Sequence, residues 1–395
     1  MEAYLIEWAS LLLRWLHLIV GIAWIGASFY FVWLDNSLRP PEDETLKKKG
    51  VAGELWAVHG GGFYNPQKYL VAPATLPRDL HWFKWEAYST WITGFLLIAI
   101  LYYAQAATWM VDPSRPGLTP AAAVAVGLAT LAGGWLVYDV LCRLMIERSQ
   151  VLFGILYYGF VVLVAWLLMQ LLPGRAAFLH VGAMLATVMS ANVFFWIIPG
   201  QKKTIAQMQR GETPDAIHGK RAKQRSVHNN YLTLPVLFCM ISNHYAFTYG
   251  HPHAWAVLAL ILLAAVLIRH FFNQRHRGQQ QWRYPIAGAV LLVIVAVWLA
   301  PVATAITPAA SAPVEFARVQ QIIAQRCAGC HAEHPTLMPA APAGVMLDSP
   351  ARIHALKPRI IAQAVQLKAM PLGNVTGITD DERAQLGRWG AEQGQ

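Results

Sequence analysis

The chain has 395 residues, of which 56% are hydrophobic and only 13% charged, about half the charged share of a soluble domain. With 16 Trp and the apolar bias confined to residues up to about 303, a single soluble globule is excluded, and a polytopic membrane protein with a soluble tail is expected. The net charge of +10 does not call for nucleic acid, because its distribution follows membrane topology.

Met1–Ser10 lacks a basic n-region and a small-residue cleavage site, so the first apolar run is expected to remain as a helix. Eight runs approach the roughly 20 apolar residues that one crossing needs: 10–34, 87–108, 119–142, 150–172, 176–199, 229–249, 253–272 and 284–304. Trp85, Trp91, Trp109 and Trp282 flank them, as expected at a lipid–water boundary. The odd-numbered connections, counted with Arg269 near the end of the seventh run, hold 20 Lys and Arg; the even-numbered ones hold Arg115 and Arg175. By the positive-inside rule the odd connections are cytoplasmic and both termini periplasmic. The expected location is the bacterial inner membrane. Two of the inner connections are long, Asp35–Glu86 and Gln201–His228, and the second is strongly basic.

The tail carries Cys327-Ala328-Gly329-Cys330-His331. Cys-x-x-Cys-His is the attachment signature of a c-type haem: two thiols reach the porphyrin edge and the imidazole lies under the iron. Such haem is attached in the bacterial periplasm, which agrees with the charge asymmetry. A linker is expected over 305–313, a helix over 314–326, and a closing helix to Gly390 after the acidic N-cap run Thr379-Asp380-Asp381-Glu382. The sixth iron ligand is expected to be Met370, in a turn-rich loop, among Met338, Met346 and Met370; Met338, only seven residues past His331, is the runner-up. The expected fold is all-α: an eight-helix transmembrane bundle over 1–304, followed by a small class I-like cytochrome c domain over 314–395.

Ionisable groups within spans are functional candidates. The topology sorts the histidines by side. His17, His180 and His244 lie toward the outer face and are the candidate ligands of a b-type haem near the periplasmic cytochrome. His59, His81 and His228 lie toward the inner face, where Arg225, Asn229 and Asn230 stand beside His228. Asn and His suit hydrogen bonding to a planar heterocycle, and a His can serve as a base. Asp139 and Arg14, inside spans, suit helix–helix pairing equally well.

Several long strings resemble the bacterial membrane-bound, cytochrome c-linked urate oxidase family. They are Arg14-Trp15-Leu16-His17 through Gly26, Gly53-Glu54-Leu55-Trp56-Ala57-Val58-His59-Gly60-Gly61-Gly62-Phe63-Tyr64, and Ser226-Val227-His228-Asn229-Asn230-Tyr231-Leu232-Thr233-Leu234-Pro235, followed by Cys327–His331. The resemblance implies oxidation of urate to 5-hydroxyisourate, with electrons leaving through one covalent haem c to a periplasmic cytochrome or terminal oxidase, without direct peroxide release. His59, His81, His228, Asn229 and Arg225 are the candidate catalytic residues; Cys327, Cys330, His331 and Met370 the haem-binding ones. A basic inner face attracts an anionic substrate. The rival reading is a quinol-to-cytochrome electron-transfer subunit with no small-molecule substrate of its own.

Overall fold

The computed structural model describes residues 2–112, 117–145, 148–300, 314–338, 341–366 and 368–391. The expected linker over 305–313 and Arg115 lie outside the described residues. The chain is mostly helical. Numbering only the helices used below, α1 is Glu2–Ser37, α2 Trp85–Ile98, α3 Pro120–Met145, α4 Gln150–Leu171, α5 Gly174–Asn192, α6 Ile198–Gln209, α7 Ala216–Ile241, α8 Ala254–His276 and α9 Arg283–Trp298.

Among the described residues, five helical segments are long and apolar enough to cross a membrane: Tyr4–Ser37, Pro120–Met145, Gln150–Leu171, Gly174–Gln209 and Ala254–His276. That is consistent with a membrane protein. The remaining expected spans take other forms. α2 runs on through a π-helical turn at Ala99–Tyr103, then breaks at Gln105 before a short helix at Ala106–Trp109. α9 has 16 residues. The run expected over 229–249 starts much earlier, because Asp215 caps α7 by accepting from the Ile217 N–H at 2.9 Å. It also ends early, at Ile241, where the Ser242 hydroxyl bonds the Cys239 carbonyl at 2.6 Å and a 3₁₀ turn follows.

The loop after α1 is the one described stretch that adds strand to this mostly helical fold. Four short strands, β1 (Val51–Glu54), β2 (Ala57–His59), β3 (Gly62–Tyr64) and β4 (Gln67–Tyr69), form two antiparallel ladders, β1 with β4 and β2 with β3. Gly60 and Gly61, at φ +57° and +80°, supply the two-residue turn that joins β2 to β3. Positive φ at both central positions is what such hairpin turns require.

Nearly every side chain of α5 is buried, and α3, α4 and α7 pack around it. The close approach of α3 needs glycine: a Cβ on Gly134 would lie 2.1 Å from Met184 Cγ. By contrast α1 packs chiefly along α2 and leaves most of its side chains exposed, with Val32 its one buried hydrophobic residue among those described.

The tail has its own core of Val319, Ile322, Ile323, Leu347, Ile353, Leu386 and Trp389, among others. Its first helix, α10 (Phe316–Arg326), ends at the Cys-x-x-Cys-His run, and α11 (Asp380–Ala391) closes it. Thr379 and Glu382 cap α11 reciprocally: the Glu382 N–H donates to the Thr379 hydroxyl at 3.2 Å and the Thr379 N–H to the Glu382 carboxylate at 2.8 Å.

Candidate functional site

The C-terminal ends of α3 and α5 and the first half of α7 hold a connected set of mostly buried polar side chains. On α3, Tyr138 and Asp139 stand one turn before Cys142 and Arg143, which puts them on adjoining strips of one face. On α7, Arg225, His228 and Asn229 share a face by the same spacing. α5 ends at Asn192 and passes through a π-helical turn, Val193–Ile197, into α6. The wider turn shifts the helical register. Asn192 and Trp196 both bond into the same network.

Asp139 is its hub. One carboxylate oxygen accepts from Arg225 Nη2 at 2.8 Å and from Trp196 Nε1 at 2.7 Å; the other accepts from Arg143 Nε at 2.7 Å. The indole of Trp196 lies under three guanidinium groups, at 4.8 Å from Arg225, 5.1 Å from Arg143 and 5.9 Å from Arg221, a strong concentration of cation–π contacts. Arg225 also donates to Asn192 Oδ1 at 3.3 Å. The Asn192 amide in turn donates to Asn229 Oδ1 at 2.9 Å and to the Tyr138 hydroxyl at 3.0 Å. The Tyr138 hydroxyl meets His228 Nδ1 at 2.8 Å. His228 Nε2 faces Gln150 Oε1 at 3.2 Å, so the tautomer with the ring proton on Nε2 lets the Tyr138 hydroxyl donate to Nδ1. Phe153 stacks on the imidazole, 4.5 Å away and 8° from parallel.

Two cavities adjoin this network. One of about 240 Å³ is lined by Cys142, Arg143, Trp196, Arg221 and Arg225. A second, of about 350 Å³, is lined by Trp135, Arg143, Phe195, Trp196, Lys203, His218 and Arg221, with Pro199 and Gly200. They share Arg143, Trp196 and Arg221. Volumes near 300 Å³ suit a small ligand. Aromatic walls and four cations, with the Asp139 carboxylate behind them, suit a flat anion.

Of the residues expected at the inner site, the structure brings together Arg225, His228 and Asn229. His59 is exposed next to the hairpin turn and His81 is exposed against Phe83; neither is hydrogen-bonded to the network. Tyr138, Asn192 and Trp196 were not singled out from the sequence, and Asp139 was read as equally suited to pairing. The available signals were a carboxylate and an amide inside apolar runs.

The outer histidines are dispersed. His17 Nδ1 meets the Thr93 hydroxyl at 2.9 Å. His180 Nδ1 donates to the Ala176 carbonyl at 2.7 Å, and its Nε2 meets the Tyr103 hydroxyl at 3.2 Å. Thr93 and Tyr103 are ten residues apart, about 15 Å along a helix, so the two rings sit at different levels. His244 is exposed.

In the tail, the loop after the motif straps it down. The Gly329 carbonyl accepts from the N–H groups of Thr336 and Leu337, at 3.0 and 2.8 Å, and the His331 carbonyl accepts from Leu347 N–H at 2.7 Å. His331 Nδ1 donates to the Val345 carbonyl at 3.0 Å, which leaves Nε2 with its lone pair. Packing against the tail's core pushes the Cys327 thiol up to about 12. Met346, between Val345 and Leu347, is on the strap that holds His331. Met370 is on a separate loop, fixed by its N–H to the Gln363 carbonyl at 3.0 Å and by its carbonyl to Arg383 Nη1 at 2.8 Å.

Neither the curated proteins nor the solved structures include a match to this chain. A model of the urate oxidase N-terminal family matches residues 3–300, the whole helical bundle with its buried polar network, and the chain belongs to that family.

Proposed function

We propose that this protein is a membrane-bound urate oxidase that binds urate at the Asp139–Arg225–Trp196 cluster and delivers its electrons to a covalent c-type haem in the tail. The single observation that carries the placement is the buried network from Asp139 to His228, which borders cation-lined cavities within the segment matched to the family.

The reaction balances as urate plus water giving 5-hydroxyisourate, two protons and two electrons. Arg225, Arg143 and Arg221 would hold the purine anion against the Trp196 indole, with Asp139 fixing the first two guanidinium groups. Tyr138 and His228 would take the protons. In the Nε2-protonated tautomer the Tyr138 hydroxyl donates to His228 Nδ1, and loss of that proton to the imidazole would leave a phenolate able to accept one from substrate or water. Gln150, exposed at the rim, marks the way out for protons toward the cytoplasmic side.

The donor set of the tail suits a haem. Two thiols sit one turn apart, and the imidazole is oriented through Nδ1 by a backbone carbonyl, the usual arrangement for a ligating histidine. Cys327 and Cys330 would hold the group covalently, and His331 and Met370 would ligate its iron. When bound, it supplies one-electron transfer to a periplasmic cytochrome or terminal oxidase. In the proposed arrangement the bundle crosses the bacterial inner membrane eight times, with the tail outside.

The test is anaerobic. Urate added to the purified, oxidised protein should reduce the c-type haem band, two haem equivalents per urate consumed, and the product should be 5-hydroxyisourate. A haem that stays oxidised, or one reduced by quinol alone, would refute the reading in favour of the electron-transfer subunit.

A further inference from the structure

α7 carries a second buried arginine contact on its other side, and there no carboxylate answers it. Asn229 faces α5, whereas the neighbouring Asn230 faces α8. Its Oδ1 accepts from Arg269 Nε at 2.8 Å and from Asn273 Nδ2 at 3.0 Å. Asn230, Arg269 and Asn273 are 0%, 5% and 6% exposed. No ion pair reaches Arg269 among the described residues, and the ring of Phe29 from α1 covers its guanidinium at 3.8 Å. Three buried polar atoms are left without a partner: Arg269 Nη2, Asn230 Nδ2 and Asn273 Oδ1.

The orientation of both amides is dictated by the network. Asn230 Oδ1 takes two donors, so its NH₂ must point elsewhere; Asn273 gives its NH₂ to that oxygen, so its own oxygen is free. The unmet pattern is two donors, one of them cationic, beside one acceptor. A buried guanidinium without a counter-charge is costly, and water supplies no charge. A carboxylate or chloride would satisfy the donors but would leave Asn273 Oδ1 without a donor.

We infer that the α1–α7–α8 junction is a second binding site, for a deprotonated lactam that presents an anionic acceptor next to a ring N–H. That the lactam is urate rests on the function proposed above; the charge and the donor pattern do not. The rim above the site is cationic. Lys68 and Lys223 share Asp35, the latter at 2.8 Å, and Arg277, two turns along α8 from Arg269, donates to Asn36 Oδ1 at 2.9 Å. Burial and the neighbouring cations lower both lysines, Lys223 acting on Lys68 and Arg277 on Lys223. Access requires the half-buried Phe29 ring to swing aside.

The test uses full-length protein, reduced beforehand with dithionite and kept anaerobic so that no turnover occurs, in equilibrium dialysis against radiolabelled urate. Wild type should bind about two equivalents per chain. Asn273→Asp places a carboxylate beside Arg269: it should raise the thermal midpoint without urate and bind one equivalent. Arg225→Gln should also bind one. Two equivalents retained in Asn273→Asp would overturn the proposal, as would a single wild-type equivalent that this substitution leaves intact. Displacement of the second equivalent by phosphate or acetate as readily as by unlabelled urate would overturn the lactam class. If Arg225→Gln keeps both equivalents while Asn273→Asp loses one, the second site stands and the Asp139–Arg225 placement of the reaction falls.

Discussion

Arg225 and Asp139 form an ion pair of 2.8 Å between α7 and α3, with side chains 3% and 5% exposed. The pair is the junction at which packing and proposed chemistry meet, because the same carboxylate also holds Arg143 and Trp196. Breaking a buried pair by removing one partner costs about 3–5 kcal/mol. Asp139→Asn keeps the size of the side chain and strands the buried Arg225 guanidinium, whereas Arg143, 63% exposed, stays solvated. It should lower the thermal midpoint by several degrees and abolish urate turnover; an unchanged midpoint would show that the pair carries no such weight.

His228 and Tyr138 are expected to move protons. His228→Ala should abolish urate oxidation and leave the c-type haem spectrum as in wild type. Tyr138→Phe keeps the ring against Tyr157 and Phe153 but removes the hydroxyl that joins Asn192 to His228. Its turnover should fall about 10²-fold or more, the range of a general acid–base contribution, with KM little changed. Wild-type turnover in either variant would exclude the relay.

Trp196 is expected to act mainly in binding. Trp196→Phe retains an aromatic face for the guanidinium groups but loses the Nε1 donor to Asp139. A loss near 1.4 kcal/mol corresponds to about a tenfold rise in KM, with kcat less affected. Steady-state kinetics of the two parameters separate this from a structural defect, which would depress both.

Met370 and Met346 make opposite predictions in the tail. Methionine ligation raises a haem potential, so Met370→Ala should lower the midpoint potential of the c-type haem. Met346→Ala, on the strap beside His331, should leave it near wild type. Redox titration of the two variants decides between them, and the reverse pattern would reassign the ligand.

Gly134→Ala tests the contact of α3 with α5. The added Cβ would fall 2.1 Å from Met184 Cγ, so Met184 must shift, and overpacking of this kind costs about 1–3 kcal/mol. A thermal midpoint equal to that of wild type would mean that Met184 relaxes freely.

The order of the apolar runs, the concentration of positive charge on alternate connections and the Cys327–His331 motif were legible because each is local. Hydropathy, charge and covalent spacing are properties of a few neighbouring residues. Helix ends were less so. α7 begins within a stretch read as basic loop, since Asp215 caps it there, and Gly60-Gly61 turns a stretch read as loop into a hairpin.

The partners of each polar side chain were decided only by the tertiary structure. His228, Asn229 and Arg225 meet Asp139 and Tyr138 from α3 and Asn192 from α5, whereas His59 and His81 from the same side of the chain do not. Asn229 and Asn230 are adjacent in sequence, yet successive residues turn by about 100° around a helix. One amide therefore enters the Asp139 network and the other meets Arg269. The sequence determined that polar groups lie in apolar helices; the rotational phase of α7 between α5 and α8 decided which arginine has a carboxylate and which has none.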